Sequence, residues 1–215
     1  PSLTKSSVTI TALSGANRLV IDARGPTATS GFGLEVIGHY AQVFAPCRVL
    51  VQQSHGVVVR GHHARFSDIE ITGTVGAVGL VGVAGADDLT VDQFFADGFQ
   101  LGIAMQNCSR AHIADDGAST TEIRNGSGPG IEIGGGSDNR VGRFVCTGNA
   151  LGVSASNTPN LRLGRAGGQR SQVTGSRGQG ILLTQCSGAV LTNAAVLGNG
   201  TGGGGDGIQG IGGTG

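Results

Sequence analysis

The chain repeats itself about every 22 to 28 residues, and this repeat constrains the fold more than any other feature. Val49–Gly61 (VLVQQSHGVVVRG) aligns with Ile181–Asn193 (ILLTQCSGAVLTN), and Ile103–Asp115, Ile131–Arg143 and Val153–Arg165 have the same form. Apolar residues recur at the first, third, ninth and eleventh places, around a short polar or Gly-rich corner. A fixed period of this size belongs to stacked units, none of which buries its apolar face alone.

Composition agrees with short strands and tight corners. Gly is 42 of 215 residues, against a usual share of about 7%. Leu, Ile, Val and Phe make up 55 of 215, enough apolar surface for a core, so the chain is not read as disordered. The charge balance is 14 basic against 14 acidic side chains, which predicts neither nucleic-acid binding nor membrane affinity. No apolar run approaches the ~18 residues of a transmembrane helix, so no membrane insertion is expected. The four cysteines, Cys47, Cys108, Cys146 and Cys186, form no CxxC pair and are read as small apolar corner fillers, with no metal site. The end, GDGIQGIGGTG, reads as the opening of a further repeat, so the chain is expected to be truncated at its C-terminus.

The anchors Val49, Val81, Ile103, Ile131, Val153, Ile181 and Ile208 set the phase. Each unit shows strand alternation at its first and third places, a corner, and a second alternating pair such as Ala111/Ile113, Asn139/Val141 and Leu161/Leu163. A third short apolar stretch follows (Phe94–Phe95, Phe144–Val145) and ends in a Gly/Asn corner such as Asn125-Gly126 or Gly148-Asn149. Three short strands and three corners describe one coil of a parallel β-helix. The corner after the first strand should stack the amides of Gln53, Asn107, Asn157 and Gln185. The expected organisation is an all-β, single-stranded parallel β-helix over residues 48–215. N-terminal coils or a cap fill 1–47, where Val8–Ile10, Leu19–Ile21 and Leu34–Ile37 read as strands without a phase.

Residues 128–142 (GPGIEIGGGSDNRVG) and 178–193 (GQGILLTQCSGAVLTN) resemble the repeat of right-handed parallel β-helix proteins of the pectate-lyase-like superfamily. The resemblance implies a right-handed coil and polysaccharide lyases, hydrolases and epimerases, phage tailspikes, or binding and structural proteins. Fold alone does not choose among them. It also implies an extracellular, cell-surface or virion location and, for tailspike-like members, a homotrimer.

Stacking turns register into patches. The tenth place carries Val58, Thr90, His112, Arg140, Arg162 and Val190. The thirteenth carries Gly61, Gln93, Asp115, Arg143, Arg165 and Asn193, and the eighth Gly56, Asp88, Arg110, Asp138, Asn160 and Gly188. His112, Asp115, Asp138 and Arg140 are therefore candidate catalytic residues, with Arg110, Arg143, Arg162 and Arg165 as substrate-binding residues on the same wall. Arginine forks pair with carboxylates or sulfates, which favours an acidic glycan. An Asp beside His112 offers an acid and a base. The alternative is a solvated wall where Asp and Arg of adjacent coils neutralise one another. Glu132, outward on the first strand between Ala104 and Ser154, is a further substrate-binding candidate without a carboxylate partner on that strand.

The Asp87, Asp88, Asp92 and Asp115–Asp116 clusters are turn formers or, by the superfamily resemblance, calcium ligands; no other cofactor is expected. Gly202–Ile208 matches one calcium-type nonapeptide, which binds only when repeated. His55, His62 and His63 resemble the GHG of β-helix polygalacturonases. The accompanying Asn-Thr-Asp and Arg-Ile-Lys are missing, so those roles are not carried over, and His62 and His63 read as a surface pair. Two functions follow: an extracellular or virion-surface module that recognises or processes a polysaccharide by lyase or hydrolase chemistry, or a non-catalytic structural spacer or adhesin.

Overall fold

The computed structural model describes residues 2–3, 9–10, 19–22, 32–44, 46–52, 55–73, 77–203, 205 and 207–213. They form a parallel β-solenoid of about seven turns, with no helix among the described residues. The first strands of successive coils make a nine-stranded sheet, from Ser2–Leu3 through Leu101–Gln106 and Pro129–Gly134 to Ile208–Ile211. The second and third strands join in a fourteen-stranded sheet. Gln53, Ser54, Gly204 and Asp206, on which parts of the corner and calcium readings rest, lie outside the described residues.

Ile103, Ile131, Val153, Ile181 and Ile208 pair in sequence, as the repeat predicts. The two earlier anchors are corrected. Ile103 pairs with Leu80 rather than Val81, and Leu80 pairs with Val57, which pairs with Leu34. Val49 belongs to the third strand, opposite Ile71. Val57/Val59 in the first strand and Val49/Val51 at the third both show strand alternation, which alone does not tell one strand of a coil from another. The N-terminal strands then fall into phase, with Leu19 opposite Cys47 and Thr9 opposite Gln42.

The three-strand coil also holds only in part. In the coils through Arg65–Thr72 and Thr90–Asp97 the second and third strands are one continuous strand. Further on they separate into His112–Ile113 and Thr121–Arg124, and again into Arg162–Leu163 and Ser171–Thr174. Residues 114–120 and 164–170 fill those gaps. The 28-residue coils thus differ from the 22-residue ones by a loop at this corner.

The register marker that sequence reading missed is a column of glycines immediately before the first-strand core residue: Gly33, Gly56, Gly79, Gly102, Gly130, Gly152, Gly180 and Gly207. A Cβ at Gly102 would lie 2.6 Å from the carbonyl oxygen of Gly130 and 2.4 Å from Ile123 Cγ2, and the other interior members are similarly hemmed in. Only glycine lets the coil turn this closely on its neighbour. Behind the column, Leu34, Val57, Leu80, Ile103, Ile131, Val153 and Ile181 stack as a buried spine.

Two buried asparagines and a half-buried one tie coil to coil. Asn149 accepts from Gly126 N–H at 2.7 Å and donates to Ile123 C=O at 3.2 Å. Asn139 does the same with Ala111 N–H and Cys108 C=O, and Asn199 with Ser176 N–H and Val173 C=O. Each satisfies corner backbone groups that the ladder leaves unpaired. The expected amide column after the first strand holds only in part: Asn157 and Gln185 occupy the same corner place of adjacent coils, but Asn107 is cut off from them. Gly135 stands between Asn107 and Asn157, because Asn107 N–H donates to Gly134 C=O and Gly135 N–H to Ser156 C=O.

All four cysteines are free. Burial pushes the Cys108 thiol up to about 11 and the Cys146 thiol up to about 12, so both stay protonated and unreactive at neutral pH.

Candidate functional site

The outward residues of the second strand form one column: Gln42, Arg65, Thr90, His112, Arg140, Arg162 and Val190 pair in sequence. Arg65 occupies the place expected for Val58, which instead pairs with Glu35 and Val81 in the first-strand sheet. At the preceding corner Tyr40, His63, Asp88, Arg110, Asp138, Asn160 and Gly188 all have left-handed backbone, with φ between 56° and 67°. Their side chains project beside the column. Gly56 and Gly61, assigned there from sequence, belong elsewhere in their coil.

The candidate residues divide into separate places. Arg110, His112 and Asp115 line an open trough of about 600 Å³, together with Tyr40, His63, Arg65 and others. Arg110 grips Asp88 with both Nε and Nη2, at 2.7 and 2.8 Å. Asp115 Oδ2 lies 3.1 Å from His112 Nδ1 and 3.9 Å from Arg140 Nη1. Asp138, Arg140 and Arg162 line a second groove of about 230 Å³. Asp138 accepts from Asn160 Nδ2 at 3.0 Å and is not bonded to His112. Arg143 and Arg165 stand at the next corner, in a slot between the two long loops. Glu132 is on a different sheet, where Gln106 Nε2 reaches it at 3.4 Å, so it does not join the wall.

At the N-terminal end of the trough are residues the sequence did not point to. Tyr40, 55% exposed, stacks on His63 with ring centroids 4.7 Å apart and 7° between planes. His39 stacks likewise on His62 at 5.0 Å. The backbone N–H of His62 donates to His39 Nδ1, which fixes that nitrogen as an acceptor. His63 Nδ1 lies 3.6 Å from Asp88 and His62 Nδ1 3.7 Å from Asp87. His62 and His63 are corner residues, each continuing its own column. The glycine column brings Tyr40 and His63 within one residue of the wall corner, since they follow Gly33 and Gly56 by seven residues where Arg110 and Asp138 follow Gly102 and Gly130 by eight.

Three acids of the wall, Asp88, Asp116 and Asp138, are shifted toward ionisation. Arg110 donates to Asp88 and draws its carboxyl below the ordinary 3.8. Asp138 is lowered by hydrogen bonds from Ser137 and Asn160. For Asp116 burial acts upward, but the Ser119 and Ala118 donors and the Arg165 charge outweigh it, and the result is again a lowering. These shifts run opposite to the raised value a glycosidase acid needs.

The same shifts set the pH response. Acids with depressed folded-state values favour the folded state above about pH 4, and the contribution disappears as pH falls through the lowered values. His55 is lowered by burial, so its unfolded form binds a proton first as pH falls below 6.5. The melting temperature is expected to decline gently below about pH 6.5 and further below about pH 4. His55→Gln should remove only the first decline. A profile flat to pH 4 in the parent protein would contradict the burial of His55.

Charge is unevenly divided along the stack. Residues 32–138 carry twelve acidic side chains and five arginines, whereas residues 139–215 carry six arginines and a single acid, Asp206. Among the described residues, Arg48, Arg60, Arg65, Arg110, Arg124 and Arg140 have carboxylate partners. No group of three or more His, Cys, Asp or Glu among the described residues is placed to hold a metal ion. No described helix is long and apolar enough to cross a membrane.

No family model matches this chain, and neither a curated protein nor a solved structure matches it. The fold and the wall define a parallel β-solenoid with a charged lateral face.

Proposed function

We propose that this β-solenoid recognises an acidic polysaccharide along the wall from Tyr40 to Arg162, as a module of an extracellular or virion surface. The observation that carries the reading is the trough, which joins an exposed aromatic platform to arginine, histidine and carboxylate groups. A sugar ring lies flat on Tyr40, its hydroxyls meet Asp88 and His112, and its acid groups reach Arg140 and Arg162 further along the wall. The reading fits the resemblance of residues 128–142 and 178–193 to pectate-lyase-like β-helices. Recognition is favoured over hydrolysis because Asp88, Asp116 and Asp138 are all shifted toward ionisation. The mutual pairing of Arg110 with Asp88 favours a second reading, a structural spacer or adhesin whose wall is self-neutralised.

A panel of acidic and neutral polysaccharides, with and without calcium, separates the readings. Binding, reducing ends and unsaturated-sugar absorbance are followed together. Unsaturated product means a lyase, reducing ends alone a hydrolase, binding without product a recognition module, and silence in every channel the spacer. For a recognition module, Arg140→Ala and Arg162→Ala should each weaken acidic-glycan binding about tenfold, the scale of one charge-assisted hydrogen bond. Their melting temperatures should match the parent. Unchanged binding in both variants sinks the assignment of these arginines.

A further inference from the structure

The loops 114–120 and 164–170 rise from the two 28-residue coils on either side of the short coil that carries Arg143. They are joined across the gap, since Arg165 Nη1 donates to Asp115 C=O at 2.9 Å. Beneath this bridge is a slot of about 310 Å³, lined by Gly117, Arg143, Arg165, Gly167 and Gln169 among others. Arg143 Nη1 donates to Thr120 Oγ1 at 2.6 Å, but its Nε is buried and has no acceptor. A guanidinium presents five donors and a buried one left unpaired is costly.

Asp116, on the same loop, does not fill the need. The Asp116 carboxylate is occupied by Ala118 N–H, Ser119 N–H and Ser119 O–H, at 2.8 to 3.1 Å. The glycines widen the mouth: a Cβ at Gly167 or Gly168 would meet nothing within 4 Å. The Arg165 guanidinium lies so close to Gly117 that a side chain there would collide with it. The slot sits where the acidic stretch gives way to the arginine-rich coils, and its lining carries two arginines and no carboxylate.

We infer that the slot between these loops is an oxyanion site in which Arg143 and Arg165 together hold a single sulfate or carboxylate group. It is separate from the trough. In the proposed reading, on which only the source of the group rests, the ligand is an acid substituent of the bound polysaccharide.

The test uses the whole chain and inorganic sulfate as probe, titrated calorimetrically against sodium chloride at matched ionic strength. Sulfate should bind the parent protein with heat beyond that of chloride. Arg143→Gln should weaken it at least tenfold, and so should Arg165→Gln, whose exposed loop position protects folding. Arg60→Ala, remote from the slot and paired with Glu35, should bind sulfate as the parent does. Glucuronate and a monosulfated sugar, run in parallel, identify which acid group the slot prefers. No sulfate heat beyond chloride, or equal binding by Arg165→Gln, overturns the inference. Sulfate binding lost in the slot variants, with no polysaccharide bound by the parent, keeps the slot and removes the glycan reading.

Discussion

Ile131→Asp is expected to abolish the cooperative folding of the central coils. Ile131 is fully buried in the spine, with Ile103 paired on one side and Val153 on the other. The substitution removes the burial of a large aliphatic side chain, about 3 kcal/mol, and introduces a carboxylate with no cation beside it. An unpaired buried charge costs several kcal/mol more even after it takes up a proton. Together these rival the ~5–15 kcal/mol that holds a typical domain. In a stack whose units contact only their neighbours, loss of one coil also strips the interfaces of the two beside it. Far-UV circular dichroism with urea should show the central transition lost or shifted to much lower denaturant. An unchanged midpoint would mean that Ile131 does not point inward.

Gly152→Ala is expected to destabilise the stack by about 3 kcal/mol or more, although it adds only one methyl group. That carbon would sit 2.1 Å from Val173 Cγ1 and 2.3 Å from the Gly180 carbonyl oxygen. The valine has a turn of χ1 available, but the carbonyl belongs to the next coil's backbone. It can yield only if the coils separate. Gly210→Ala supplies the comparison. It also lies in a first strand, yet its Cβ would meet nothing within 4 Å, and its stability should change by less than about 0.5 kcal/mol. Urea midpoints of the two variants measure the difference directly. Equal midpoints would mean that the glycine column is not a packing requirement.

The repeat was legible because stacking forces equivalent residues to recur, and the last five anchors pair as the spacing predicts. The first two anchors misled because alternation marks every strand of a coil equally. The glycines mark a single corner, and so carry the phase that alternation lacks. The column Thr90, His112, Arg140, Arg162 was readable for the same reason that the anchors were. The partners of its side chains were not. Register places His112 and Asp138 on adjacent coils alike, and only three-dimensional geometry shows that Asp115 reaches the imidazole while Asp138 turns to Asn160. Nor does periodicity tell that two loops close over Arg143, since loop length appears in sequence merely as a longer period.

In a solenoid, position along the chain is position along the axis. The division between an acidic run over residues 32–138 and an arginine run over 139–215 therefore makes an electric dipole directed along that part of the stack. Its field would turn the molecule before any contact forms. Facing a polyanionic layer, the arginine coils are drawn in first and the Tyr40 end is held outward. At an ionic strength of about 0.1 M this torque acts only within roughly 10 Å of the layer. Orientation is thus a property of the final approach, and dilute salt extends its reach.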